Sequence, residues 1–132
     1  MTDQQDIVDL TIAYTWALDT KQFADLRDVF LPDATADLRD VECDGIDAII
    51  ARIEGALTPL AATQHLIGNQ QVRVDGDTAT CRTQLLAQHV LPAASGGNTF
   101  IVAGVYEDDL VRTPDGWRIR RRILRQTWSA GL

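Results

Sequence analysis

Apolar residues at helical spacing open the chain. Thr2 and Gln5 form a capping box, and the apolar positions that follow at intervals of three or four predict an amphipathic helix over roughly residues 3–18. Tyr14 shares the apolar face of this helix. We therefore expect its ring to point into the core, with its hydroxyl in need of a polar partner or an opening to solvent.

The same period continues after a short break and predicts a second helix over about residues 21–31, which Pro32 ends. Alternating small and polar residues then indicate a short strand over 34–42. A third helix is predicted from Ile46 to Leu57, where apolar residues again recur at helical spacing and an acid lies in the first turn.

Beyond residue 62 the pattern changes to long β segments separated by turn signals rich in glycine, proline and aspartate. The predicted strands cover residues 63–74, 78–91, 99–111 and 117–128. Helices followed by an antiparallel meander are typical of an α+β fold, in which the sheet curls over the helices. A chain of 132 residues with 45% apolar composition fits one domain, 1–132.

Composition excludes several classes of protein. No apolar run approaches the length of a membrane span, and the N-terminus is polar and acidic, unlike a signal peptide; we expect a soluble, cytoplasmic protein without a membrane partner. Cys43 and Cys81 have no metal-ligand or disulfide spacing, so we expect two buried thiols and no bridge. No glycine-rich phosphate loop or convergent ligand set occurs, so we expect no cofactor and no metal.

The net charge of −7 is unevenly distributed, because residues 112–132 carry six arginines against one acid. Phosphate binding demands a net basic face, so we expect no nucleic-acid partner for so acidic a chain. Strict alternation along the last strand places Trp117, Ile119 and Arg121 on its apolar face, with Arg122 on the opposite one. A β-bulge would exchange Arg121 and Arg122, and the sequence leaves both arrangements open.

The two histidines lie on the first two long strands, and the register of the hairpin decides whether they meet. A two-residue turn at Asp75-Gly76 puts His65 and His89 on opposite faces, whereas a three-residue loop through Asp77 pairs His65 with Ala87 and brings both imidazoles to one face. We favour the second register, because Gly76 can then supply the left-handed conformation of the loop.

Six segments in this order resemble the SnoaL-like branch of the NTF2-like superfamily. They are Tyr14–Asp19, Phe30–Ala34, Gly45–Asp47, Gln64–Asn69, Val74–Ala79 and Gly116–Ile119. The resemblance implies a cone-shaped α+β barrel with three N-terminal helices packed in a strongly bent antiparallel sheet, around a deep pocket for a small hydrophobic molecule. It also implies a homodimer or homotrimer formed through the outer face of the sheet.

The resemblance further implies a set of pocket residues. Tyr14 and Asp19 resemble a pair found in dehydratase members, and His65 and His89 resemble the two pocket histidines of scytalone dehydratase. Arg121 would complete this catalytic group, while Trp16 and Asn69 would contact the substrate. A phenol can donate a hydrogen bond to a ketone or enolate oxygen, an aspartate can fix a histidine tautomer, and imidazole can move protons near neutral pH. The alternatives to these functional roles are that Tyr14 only packs in the core and that Asp19 only caps a helix.

The activities of this superfamily are diverse, so the fold alone does not name one. The leading hypothesis is a cofactor-independent lyase or isomerase of the dehydratase or cyclase type, acting on a small hydrophobic oxygenated substrate. The alternative is a non-catalytic module that binds a small ligand or serves in assembly. Convergence of Tyr14, Asp19 and His65 on one cavity would favour the enzyme.

Overall fold

The structure, a computed structural model, describes residues 2–131. In chain order its elements are α1 (Asp3–Asp19), a 3₁₀ turn (Phe23–Asp28), β1 (Phe30–Leu38), β2 (Glu42–Asp44), α2 (Ile46–Leu57), β3 (Ala62–Asp75), β4 (Thr78–Val90), a second 3₁₀ turn (Ala93–Ser95), β5 (Thr99–Thr113) and β6 (Gly116–Ala130). Among these residues there is no helix with both the length and the apolar character needed to cross a membrane.

The six strands form one sheet in the order β2-β1-β6-β5-β4-β3. The predicted meander is confirmed, because β3 to β6 pair antiparallel in succession, but β1 runs parallel to β6 and the sheet is therefore mixed. The helices pack on the concave face of the sheet, and the core lies between the two layers. This arrangement confirms the α+β prediction. Cys43 and Cys81 are both buried and unbridged, as expected.

The prediction of a helix over 21–31 is wrong for most of that range. A 3₁₀ turn of six residues ends at Asp28, and β1 begins at Phe30, which pairs with Ile119 of β6. Parallel strand pairing outweighs the local helical period here, and Pro32 falls at an irregularity where no ladder hydrogen bond is required of it. The predicted strand 34–42 is divided by a turn at Arg39 and Asp40, both of which have positive φ.

The histidine register is confirmed, although the turn differs from the one predicted. The hairpin closes through a two-residue turn, Gly76-Asp77, so that Asp75 faces Thr78. A bulge at Asn69 and Gln70 then adds one residue to β3 and restores the pairing of His65 with Ala87. Asn69 adopts a φ of 50° in this bulge.

A second bulge decides which arginine of β6 points inward. Arg121 pairs with Asp109 while Ile119 pairs with Leu110, so the intervening residue has no partner and the alternation reverses beyond it. Arg122 is consequently buried on the concave face, and Arg121 lies on the convex one. The expectation that Arg121 points inward is wrong, and the bulged alternative holds.

Candidate active site

A cavity of about 100 Å³ opens between the helices and the concave face of the sheet. This volume is below the roughly 300–1,000 Å³ of typical ligand pockets, so the enclosed space suits one small group, such as a single ring. Aliphatic side chains form about half of its lining. Its polar lining residues are Tyr14, Tyr106, His65, His89, Arg39 and Arg52.

His65 is fixed by Asp19, which lies at the C-terminal end of α1. Asp19 Oδ1 is 2.6 Å from His65 Nδ1, and Oδ2 accepts a hydrogen bond of 2.9 Å from the backbone N–H of His65. Thr63 donates a further bond of 3.0 Å to Oδ1. Partial burial raises the pKa of Asp19, but these hydrogen bonds outweigh burial and hold its pKa below the ordinary value.

A carboxylate only accepts hydrogen bonds, so the Asp19 contact places the proton of neutral His65 on Nδ1. The Nε2 atom of His65 is then free to accept a proton from a molecule in the cavity. The His65 side chain is only 5% exposed, which shields this atom from bulk water. Aspartate and histidine thus form a pair suited to general base catalysis.

His89 lies beside His65, with the two ring centroids 6.1 Å apart. Its ring stacks on Phe100 at 4.3 Å, and its Nδ1 is 3.3 Å from the carbonyl oxygen of Phe100. Burial lowers the pKa of His89 more than its hydrogen bond to the Phe100 carbonyl raises it, and the positive charge of Arg39 lowers it further. Neutral His89 therefore donates from Nδ1 to Phe100 and keeps Nε2 as an acceptor.

Two tyrosines form the inner end of the cavity. Tyr14 and Tyr106 meet edge to face at 5.5 Å, and the guanidinium carbon of Arg122 lies 4.2 and 4.0 Å from their ring centroids. Burial raises the pKa of both phenols, more than the positive charge of Arg122 lowers it. Both hydroxyls therefore stay protonated near neutral pH and can serve as donors.

Arg122 is paired with Asp108 in the core beneath these rings. Nε and Nη2 of Arg122 donate to the two Asp108 oxygens at 2.7 and 2.8 Å, and both side chains are fully buried. Nη1 has no hydrogen-bond acceptor among the described residues, and the tyrosine faces above the guanidinium supply its electrostatic contact instead. Tyr106 and Asp108 were absent from the expected site, and Arg122 was expected there only as the bulged alternative to Arg121.

Three of the residues expected at the site lie outside the cavity. Trp16 is 64% exposed, because a position two residues after Tyr14 on a helix lies on a different face. Asn69 is exposed in the β3 bulge and hydrogen-bonds to Gln84 on the convex side. Arg121 pairs with Glu42 at 2.7 Å, also outside the cavity. In contrast, Tyr14, His65 and His89 line one cavity, with Asp19 directly behind His65.

The convex face of the sheet has a different character at each end. Exposed apolar side chains lie at one end, where Leu66 of β3 pairs with Leu86 of β4 and Trp128 of β6 lies on the same face. Charged residues occupy the other end, including Arg82, Glu107 and Arg121. This face is separate from the histidine cavity.

Comparison with known proteins finds relatives in sequence and proteins of the same fold. The chain is 38% identical over 128 residues to the uncharacterized protein Rv2910c of Mycobacterium tuberculosis, covering 93% of this chain and 84% of the relative. Kfla4162 of Kribbella flavida superposes with a TM-score of 0.90 at 28% identity, covering 97% of this chain and 93% of that one.

A protein assigned as a scytalone dehydratase from Novosphingobium aromaticivorans superposes with a TM-score of 0.85 at 25% identity, covering 98% of this chain and 87% of that one. Residues 1–123 match the model of the SnoaL-like domain. With this match over nearly its whole length, the chain belongs to the SnoaL-like domain family.

Proposed function

We propose that this protein is a cofactor-independent lyase or isomerase of the dehydratase type, acting on a small oxygenated ring compound. The observation that carries the proposal is the Asp19–His65 pair, which presents a shielded imidazole nitrogen to a cavity. Similarity to the Novosphingobium protein assigned as a scytalone dehydratase supports the same class of reaction.

In the proposed reaction, Nε2 of His65 removes a proton from the carbon next to a substrate carbonyl. The electrons of the broken C–H bond form an enolate, whose oxygen accepts a hydrogen bond from the Tyr14 hydroxyl. Collapse of the enolate expels a β-hydroxyl group and forms the C=C bond. The imidazolium of His65 returns its proton to the departing hydroxyl, which leaves as water, and the enzyme regains its starting state.

Asp19 stabilises the imidazolium between these two steps, because its carboxylate lies against Nδ1. His89, neutral and with Nε2 as an acceptor, is placed to hold the substrate hydroxyl before it leaves. An isomerase would use the same proton shuttle and return the proton to another carbon. Neither reaction requires a redox or nucleotide group, since the proton balance closes within these side chains.

The test begins with native mass spectrometry of the purified protein, to detect a retained ligand, and continues with a panel of cyclic β-hydroxy ketones in D₂O. We expect deuterium at the α-carbon and formation of the enone with the wild-type protein. His65→Ala should abolish both, and Tyr14→Phe should reduce them while the fold, checked by circular dichroism, is retained. Binding of these compounds without α-exchange would contradict the proposal and indicate a ligand-binding module.

A further inference from the structure

Two arginines at the cavity have no part in the proton chemistry. Arg39 lies in the turn between β1 and β2, and Arg52 lies on the exposed side of α2, one residue before the buried Ile53. Both line the cavity together with His65 and His89, and both are exposed. They therefore lie where the cavity meets solvent.

Neither guanidinium forms a hydrogen bond or an ion pair with another residue in the described range. Six of the eleven arginines form no ion pair with an acid among the described residues, and Arg39 and Arg52 are the two of these six that line the cavity. Other arginines of the chain do pair with acids: Arg27 with Asp47, Arg112 with Asp3, Arg121 with Glu42, Arg122 with Asp108 and Arg125 with Glu107.

Within the described part of the chain, the lining of the cavity offers no acidic partner to the two arginines. Asp37 and Asp40 flank Arg39 in sequence, but Asp37 accepts a hydrogen bond from the backbone N–H of Asp40 and forms no ion pair with Arg39. Among the described residues, the cavity lining therefore carries two cationic side chains and no anionic one, while Asp37 and Asp40 lie beside Arg39 on the adjoining surface. Cationic side chains at an opening attract anions.

We infer that the substrate carries a carboxylate remote from its reacting carbons, and that Arg39 and Arg52 bind this group at the mouth of the cavity. The inference rests on the proposed function for the identity of the reacting end. A cavity of about 100 Å³ encloses only the reacting ring, so a substituent on the far side of that ring would project to the two guanidinium groups. Guanidinium donors match carboxylate oxygens in geometry as well as in charge.

The test uses a matched pair of probes: a cyclohexanone with a carboxylate opposite its carbonyl, and the corresponding amide. The two have nearly the same shape and differ in charge. Affinity is measured by calorimetry, and proton abstraction by α-deuterium exchange in D₂O. We expect the wild-type protein to bind the acid about tenfold more tightly than the amide, the combined effect of two solvent-exposed charge contacts, and to lose part of this preference at high salt.

Arg39→Gln/Arg52→Gln should bind acid and amide equally, and each single variant should lie between. Arg73→Gln is the control, because it removes the same charge from an exposed position on β3 outside this cavity. Thermal unfolding verifies that each variant is folded. Equal affinity for both probes in the wild-type protein, no binding of either probe, or a preference that survives the double substitution would overturn the inference.

The two proposals fail in different ways. Preference for the acid without α-exchange would refute the lyase or isomerase and leave the anion site standing. Exchange with equal affinity for acid and amide would refute the anion site alone. In the same assay His65→Ala should abolish exchange and keep the preference for the acid, because His65 does not contact the mouth arginines in this assignment.

Discussion

Arg122 and Asp108 form a two-pronged ion pair that is sealed from solvent directly beneath the cavity tyrosines, with N–O distances of 2.7 and 2.8 Å. The pair joins β6 to β5, and its guanidinium lies against the faces of Tyr14 and Tyr106. An ion pair at this depth costs much in desolvation, so its presence points to a role in positioning the two rings.

We predict that Asp108→Ala destabilises the protein by about 3–5 kcal/mol, because it leaves the Arg122 charge buried without a counter-ion. The double variant Arg122→Met/Asp108→Leu should lose much less, since both charges are removed together and the volume is nearly kept. Urea unfolding of the two variants and the wild-type protein measures this difference. If the double variant is as unstable as Asp108→Ala, packing and not uncompensated charge explains the loss.

The double variant also separates stability from function. Without the guanidinium, the tyrosine rings lose the group that stacks on both of them. We expect the folded double variant to show slower α-deuterium exchange than the wild-type protein, with substrate affinity changed less than the rate. An unchanged rate would mean that Arg122 does not position Tyr14 for the reaction.

Asp19→Asn is predicted to reduce proton abstraction by about 10²–10⁴-fold, the loss that follows when the aspartate behind a general-base histidine becomes an amide. An amide can donate to Nδ1 and so favour the wrong tautomer, in which Nε2 carries the proton. Thr63→Val is the matched control, because it removes one hydrogen bond to Asp19 and leaves the carboxylate in place. Its effect on the exchange rate should be severalfold at most; a loss equal to that of Asp19→Asn would contradict this explanation.

The register of the two strands that carry the histidines was predicted correctly from the sequence, but the turn and the bulge that produce this register were not. The facing of His65 and Ala87 was expected from a three-residue loop, whereas the structure reaches it with a two-residue turn and a bulge at Asn69. The shorter turn shifts the pairing by one residue from the predicted register, and the bulge in β3 shifts it back. A bulge depends on contacts across the fold, here including a hydrogen bond from Gln70 to Thr11 of α1, and alternation within one strand does not reveal it.

In the last strand a bulge again goes undetected by alternation, and here it changes which residue points inward. The alternation of Trp117 and Ile119 pointed to Arg121, and the bulge in β6 moves the inward position to Arg122. A single arginine on an apolar face was a real signal for a buried ion pair. Its partner, Asp108, lies on the neighbouring strand. There it alternates with the buried Tyr106 and Leu110, so an acid on an apolar face is the matching signal.

The pH dependence of stability should report the environment of His89. Its pKa is lowered by burial from 6.5, so between its folded pKa and 6.5 the unfolded chain binds more protons than the folded protein. The contribution of His89 is therefore at its maximum above pH 6.5 and declines as the pH falls toward the folded pKa. His89→Gln should flatten the unfolding free energy across this window relative to the wild-type protein. Direct NMR titration of the imidazole checks the cause, and a pKa at or above 6.5 would contradict it.

Self-association through the convex face remains a prediction, and the exposed apolar end of that face gives it a specific test. Leu66 and Leu86 pair across β3 and β4, with Trp128 on the same face, and we expect a second copy of this chain to cover them. Leu86→Arg should shift the protein to a monomer in analytical ultracentrifugation, because it places a charge in an apolar contact. Thr80→Arg adds the same charge to an exposed position of the same strand, beyond the apolar end, and should leave the assembly intact. A wild-type monomer, or equal dissociation by both substitutions, would contradict an interface at this patch.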